Sequence, residues 1–385
     1  MKIMHVIDSL GIGGAERVLA ALLPALQERG VEAIVAVRTA TLDLAMEFEA
    51  AGVRVVQLPA RHKWNLFGTA LDLSRLADEY RIDIIHAHLY FPAQATALVK
   101  LLGLHSAATV VTFHNLAYAK GVNRDGVGLR LKRMLAALLC RRGFDRKIAV
   151  SNAVAVHYRA FLGLDSVDVV HNPVDITAID SLQLGRSLTP DKALHIVAPG
   201  RLVREKGQPD LIEALALLRD QGLDFRASIA GDGPMRRELE RKVDRAGLGH
   251  VIAITGTLAH RKLLEVVAAA DIVVIPSHFE GFGLAAIEAM ALSRPVVVTA
   301  VGGLVEIVED GVSGAIVPAH QPGELARAVS ELMASPVQRE AFGRAGRKRV
   351  EQAFDLPRIT TQLCDLYDDT LASIRAKTSP GAGRG

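Results

Sequence analysis

At 385 residues the chain is long for a single hydrophobic core, and two domains are the expectation. Half of it is hydrophobic and 23% charged, which excludes a disordered chain, and a formal net charge of +3 is too small to argue for nucleic acid. Cys140 and Cys364 lack metal-ligand spacing, no apolar stretch follows Lys2 as a signal peptide requires, and no run reaches the roughly 18 apolar residues of a membrane span, so a cytoplasmic protein, at most peripheral on a membrane, is expected.

Short apolar runs alternate with amphipathic segments from the start. The runs that read as strands are Ile3–Asp8, Ala33–Val37, Val53–Gln57, Ile82–His86, Ala108–Phe113, Lys147–Val150 and Val167–His171. Residues 177–191 lose periodicity and read as a linker. Alternation resumes with Leu194–Pro199, Arg226–Ala230, Val251–Ile254, Asp271–Pro276, Val296–Thr299 and Ala315–Val317, and helices are expected over Gly323–Met333 and Pro336–Phe354. Such alternation implies α/β architecture: two doubly wound, Rossmann-like domains with parallel sheets, 1–176 and 192–355. A helix over 356–376 and a disordered tail over 377–385 complete the expectation.

Chemistry-bearing residues cluster where strands end. Gly11-Ile12-Gly13-Gly14-Ala15-Glu16-Arg17 follows the first strand; a dinucleotide fingerprint needs glycine at position 16, so this is a different glycine turn, with Glu16 and Arg17 readable as solvated first-turn charges. His86 and His88 in HAHLYFP end a strand and open a loop; the pair has metal-ligand spacing but no accompanying carboxylate or cysteine, which favours a structural or acceptor-side role. From Lys120 to Lys147 there are nine Lys/Arg against two Asp, around an apolar stripe of Leu131, Met134, Leu135, Leu138 and Leu139. That helix fits either ordinary packing with a solvated basic face or docking on an anionic membrane surface through 120–147.

In the second half, Gly200-Arg201-Leu202-Val203-Arg204-Glu205-Lys206-Gly207 puts two cations in a strand-to-helix loop. Arg201 can grip a phosphate bidentately and Lys206 can act as a point charge. The stretch from Ile275 to Gly303 reads IPSHFEGFGLAAIEAMALSRPVVVTAVGG: a buried strand, a Gly/Phe loop, a helix, a second buried strand. The amides of Gly281, Phe282, Gly283 and Leu284 open that helix and suit an anion. Glu280 lies before the helix and Glu288 inside it, and a carboxylate accepts two vicinal hydroxyls at once. A phosphate cradle between two hydroxyl clamps suggests a nucleotide sugar.

This pattern, with Glu280 and Glu288 inside EGFGLAAIEAMA followed by PVV and GG, resembles the GT4-type family of retaining glycosyltransferases of the GT-B fold. The resemblance covers nearly the whole chain and is strongest from Ile196 to Gly314. It implies two domains facing a cleft, with the last helix crossing back to the first domain. It places Glu280 on the donor sugar, Glu288 on the ribose, Arg201 and Lys206 on the diphosphate, Thr257 and Leu258 by the base, Gly13 and Gly14 near the donor phosphates, and His114 against the sugar. Arg201, Lys206, Glu280 and His114 are thus the expected catalytic set. No metal and no cofactor are implied, the donor being a UDP- or GDP-sugar and the acceptor a glycan or lipid-linked glycan of cell-surface polysaccharide or lipopolysaccharide assembly. A nucleotide-sugar epimerase of the same fold, or a non-catalytic nucleotide-sugar-binding subunit, are the alternatives. Two residues depart from the pattern, Pro173 and Ser293, each where the family more often has glycine.

Overall fold

A computed structural model describes residues 1–59, 65–117, 127–183 and 193–378, with the side chains of 127–132 and 377–378 excepted. The chain divides into two compact units: Met1–Pro173 together with the segment from Leu356, and Val174–Asp355. Each is a parallel sheet clothed by helices.

The first unit holds seven strands: β1 (Lys2–Ile7), β2 (Glu32–Val37), β3 (Arg54–Gln57), β4 (Ile84–His88), β5 (Ala108–Phe113), β6 (Arg146–Ala149) and β7 (Asp168–Val169). Their order is β3-β2-β1-β4-β5-β6-β7, all parallel. The second holds β8 (Leu194–Pro199), β9 (Phe225–Ala230), β10 (Ile252–Ile254), β11 (Ile272–Ile275), β12 (Val296–Thr299) and β13 (Ala315–Val317), ordered β10-β9-β8-β11-β12-β13. In both sheets the winding reverses beside the first strand, between β1 and β4 and between β8 and β11. The crevice at such a reversal, outside the carboxyl ends of the strands, is where open α/β sheets bind ligands.

Burial on both faces explains the near-continuous apolar strands. In β11 and β12 every residue is buried. The second core joins Ile196, Ile229, Ile272 and Val297 to Leu211, Leu215 and Leu218 of the helix Gln208–Asp220. Each such side chain contributes about 1.5–3 kcal/mol through removal from water.

The helix Leu356–Thr378 packs with the first unit. Tyr367 is fully buried there, Arg29 donates to the Pro357 carbonyl at 3.0 Å, and Gln362 donates to the Val169 carbonyl at 3.0 Å. The segment expected as a linker over 177–191 opens inside a short helix, Ile176–Ser181, because Asp175 Oδ1 accepts from the Ala178 amide at 2.8 Å and caps it. Residues 184–192 and the tail 379–385 lie outside the described residues. Among the described residues, no helix is long and apolar enough to cross a membrane.

Candidate active site

In the first unit the sheet reversal is lined by histidines. Register alone builds the group: His5 pairs with His86 across β1 and β4, and His88, two residues on, shares their face. The reading that His86 and His88 end their strand and open a loop is corrected here. β4 runs on through His88, which pairs with Thr112 of β5, and both histidines are buried under the helices Gly14–Gln27 and Leu356–Thr378. His86 Nδ1 lies 2.6 Å from the Tyr367 hydroxyl and its Nε2 lies 2.7 Å from Thr112 Oγ1. His5 Nδ1 meets His88 Nε2 at 3.0 Å, and His88 Nδ1 meets His114 Nε2 at 3.0 Å.

A neutral imidazole has one donor and one acceptor, so His5, His88 and His114 must be ordered head to tail. A second proton on His88, the middle ring, would set two donors face to face. Burial accordingly lowers every member: His5 to about 3, His114 to about 4, and His86 and His88 well below the usual histidine range, the last two also through repulsion by neighbouring histidines. The chain's two ends, His5 Nε2 and His114 Nδ1, are buried and have no hydrogen-bond partner among the described residues. A cavity of about 30 Å³ beside them is lined by the four histidines, Thr112 and Asn172.

Gly13 caps the helix Gly14–Gln27, and the Glu16 carboxylate folds back over it, so close that a Cβ on Gly13 would sit 2.2 Å from Glu16 Oε2. Glu16 is therefore not a solvated charge. It is buried at a helix N-terminus, where the dipole favours an anion, and accepts from Ser9 Oγ at 3.3 Å. The basic helix is observed over Val127–Arg142; residues 120–126 and the side chains of Arg130, Leu131 and Lys132 lie outside the described residues. Its expected apolar stripe divides. Leu139 is buried beside Ala136 and Cys140, whereas Met134, Leu135 and Leu138 are exposed, as are Arg133, Arg141 and Arg142.

In the second unit the reversal is lined by ions. The turn Arg204–Lys206 after β8 aims Lys206 Nζ at Glu280 Oε2, 2.6 Å away, and Ser277 Oγ donates to the same oxygen at 3.2 Å. Both members of the pair are largely buried, so the interaction is shielded from solvent. Arg201, at the start of the same loop, is exposed and has no ion pair among the described residues. Two glycines permit this arrangement. A Cβ on Gly207 would lie 1.8 Å from the Pro276 carbonyl oxygen, and one on Gly302 would lie 1.7 Å from that of Glu280; both have left-handed backbones, at φ +64° and +52°. The Glu280 loop is thus clasped between the backbone of the loop after β8 and Gly302-Gly303.

The helix Leu284–Ala291 starts at Gly283, whose carbonyl already accepts from the Ala286 amide at 2.9 Å, and its N-terminal end carries the positive end of the helix dipole. Phe282 anchors the approach, its buried ring meeting Phe354 edge-on at 5.7 Å. Gly281 and Leu284 flank it, partly exposed. Glu288, one turn into the helix, accepts from His260 Nε2 at 2.9 Å. His260 begins a helix directly after the segment holding Thr257 and Leu258, so the glutamate assigned to ribose is tied to the segment assigned to the base. His260, like His5 and Tyr367, was not singled out from sequence. For His5 a signal existed: a histidine in phase with HxH on a neighbouring parallel strand.

This geometry has counterparts. Residues 12–178 match the model of Glycosyltransferase Family 4 and residues 183–349 that of Glycosyl transferases group 1. The chain is 30% identical to glycogen synthase of Mycobacterium tuberculosis over 78% of itself and 71% of that protein. It is 29% identical to D-inositol 3-phosphate glycosyltransferase of an Arthrobacter species over 86% of itself and 85% of that protein. Among solved structures, Anabaena HepE in complex with UDP and glucose superposes with a TM-score of 0.82 at 23% identity, over 96% of this chain and all of that one, which establishes the shared fold. With two Rossmann-like units and both family models matched in sequence, the chain belongs to the group 1, family 4 glycosyltransferases of the GT-B fold.

Proposed function

We propose that this glycosyltransferase is a retaining enzyme that moves a sugar from a UDP- or GDP-sugar to a glycan or lipid-linked glycan acceptor, in cell-surface polysaccharide or lipopolysaccharide assembly. The observation that carries the reading is the ion pair of Lys206 and Glu280 at the sheet reversal, with Glu288 eight residues on. A donor diphosphate shares Lys206, Arg201 and the amides opening Leu284–Ala291, which stabilise charge as it develops on the leaving phosphate. Those groups supply the positive field, so a divalent ion is not required for the chemistry. Freed of part of its tie to Lys206, Glu280 accepts from hydroxyls of the sugar, and Glu288 from those of the ribose. The leaving phosphate oxygen takes the acceptor proton on the face it vacates, and no side chain serves as a dedicated base. His114, kept neutral, offers the sugar a hydrogen bond without opposing charge. HepE, which binds UDP and glucose, supports a UDP-sugar; the exposed Met134, Leu135 and Leu138 beside arginines support a membrane-held acceptor.

Release of UDP or GDP from a panel of donors, in EDTA, with and without lipid-linked acceptors in anionic or neutral vesicles, tests the whole reading. Turnover with one donor, persisting in EDTA and enhanced by anionic vesicles, is expected. A strict need for Mg²⁺ or Mn²⁺ overturns the metal-independent chemistry, and indifference to vesicle charge overturns the membrane-held acceptor.

A further inference from the structure

A second histidine group lies in the second unit. Asp210 sits in the first turn of Gln208–Asp220, His278 in the loop after β11, and His320 in the turn after β13. His278 Nε2 is 2.8 Å from Asp210 Oδ2, and His320 Nδ1 is 4.0 Å from the same oxygen. The two rings overlap with centroids 3.7 Å apart. One nitrogen or oxygen from each of the three residues lies within 4.8 Å of the others. Metal–nitrogen and metal–oxygen bonds of about 2.1 Å set neighbouring ligands roughly 3 Å apart, so one ligand pair is already at that spacing and His320 needs to close by about an ångström.

The frame holding the ligands is stiff where it matters. The His278 amide donates to the Glu205 carbonyl at 2.8 Å, the Asp210 amide donates to the Gly207 carbonyl at 3.0 Å, and a Cβ on Gly207 would lie 3.1 Å from His278 Cδ2. Asp210 and His278 are largely buried, while His320 is 64% exposed, so an ion has a way in and room for water on its open side. The buried histidines of the first unit also stand close together, but His86 has both nitrogens engaged, and His5 and His88 are bonded to each other under two helices. That group has its facing nitrogens already spent on one another and on Tyr367 and Thr112. The Asp210 group is an open one.

We propose that Asp210, His278 and His320 bind a divalent transition-metal ion of the Zn²⁺ or Co²⁺ class. Two imidazoles and one carboxylate favour such borderline cations over Mg²⁺ or Ca²⁺, which prefer oxygen. The ion replaces the His278–Asp210 hydrogen bond and links the start of Gln208–Asp220, four residues after Lys206, to the loop carrying Glu280, two residues after His278. It is a staple between the two loops of the donor site, distinct from the chemistry assigned to Lys206. Binding itself does not depend on the donor reading; only an effect on turnover would.

The full chain, stripped of metal, is titrated with Co²⁺ and read by visible d–d absorption, then with Zn²⁺ by calorimetry. The expected result is one Co²⁺ per chain, displaced by Zn²⁺. His320→Asn, which tolerates the left-handed backbone at φ +60°, and Asp210→Asn, which keeps an acceptor for His278, should each weaken binding by at least the roughly 10–100-fold that loss of a supporting partner costs. A rise in the thermal midpoint with Zn²⁺ should appear in the parent chain and not in His320→Asn. No binding at micromolar metal, or affinity unchanged in both variants, overturns the proposal. Because these readouts need no donor, they stand even where the nucleotide-sugar reading fails.

Discussion

The two sheet reversals have the same topology and opposite chemistry. Beside β1 and β4, four histidines are held neutral by burial and by one another. Beside β8 and β11 stand the ion pair of Lys206 with Glu280, the exposed Arg201 and the amides of a helix N-terminus. A diphosphate requires fixed cations, and here a carboxylate or open solvent accompanies each. Sugar hydroxyls require directed donors and acceptors, which neutral imidazoles provide without attracting counterions. The winding thus determines where a site forms, and the side chains at the strand ends determine what it holds.

The largest expected effect comes from removing charge on the ionic side. Lys206→Ala should lower turnover by roughly 10²–10³, the scale for one preorganised donor to a developing anion. It also leaves Glu280, 13% exposed, without its cation. Steady-state kinetics on the natural donor decide the matter: near-normal turnover would remove Lys206 from the phosphate clamp and erase the contrast between the two reversals.

Next comes the division between the glutamates. Glu288→Ala should weaken binding of free UDP or GDP by about 10–100-fold, the equivalent of losing a hydrogen bond to a charged group. Glu280→Ala should leave nucleotide affinity within a few-fold and damage transfer instead. Calorimetric titration of both variants tests this, and equal losses would show that the two carboxylates do not split sugar from ribose.

Much of this was legible in the chain. Ala108–Phe113, Leu194–Pro199, Val296–Thr299 and Ala315–Val317 were expected at the ends observed, because unbroken apolar runs between turn-formers mark strands buried on both faces. The cations and carboxylates of the second unit could be read from their loops. Their pairing could not, since Lys206 and Glu280 are 74 residues apart and only the adjacency of β8 and β11 brings them together. The same holds for His5 with His88 and for His86 with Tyr367, whose contacts span 83 residues or more within one buried network. The alternative of a solvated Glu16 stayed open because sequence shows a charge beside a helix start and not the burial of that start. β4 was set two residues early because its histidines look polar, while the sheet buries them.

A smaller effect tests the neutral side. The buried histidines take up protons on unfolding, at about pH 6.5, long before they do so in the fold, where His114 waits until about 4 and His5 until about 3. Their contribution is complete above pH 6.5 and declines as pH falls toward 4. The slope is about 1.4 kcal/mol per pH unit for each histidine so affected. Urea midpoints at pH 7 and pH 5 should differ markedly, and a flat profile would contradict neutral burial. Tyr367→Phe deprives His86 Nδ1 of its partner and should reduce stability by about 1–3 kcal/mol at pH 7.

The smallest effect, and a gain, belongs to Ser293. It occupies a left-handed backbone at φ +56°, directly past the helix Leu284–Ala291 and its cap Leu292. Its amide donates to the Met290 carbonyl at 2.9 Å and that of Arg294 donates to the Ala289 carbonyl at 2.9 Å, the pair of bonds that closes a helix on a glycine. Serine keeps the bonds but places a Cβ against the following carbonyl, at a cost of about 1 kcal/mol. Ser293→Gly should therefore raise stability by at most about 0.6 kcal/mol at pH 7, after allowance for the greater freedom glycine gives the unfolded chain. The substitution alters no charge and lies in the unit without the neutral histidine chain, so it serves as a marker. Two units need not unfold in one transition. If the transition that moves with acid is that of the histidine unit, Ser293→Gly should raise the other transition and leave the acid-sensitive one in place. A variant that shifted the acid-sensitive transition instead would show that acid acts first on the ionic unit, and the contrast between the two reversals would not extend to their stability.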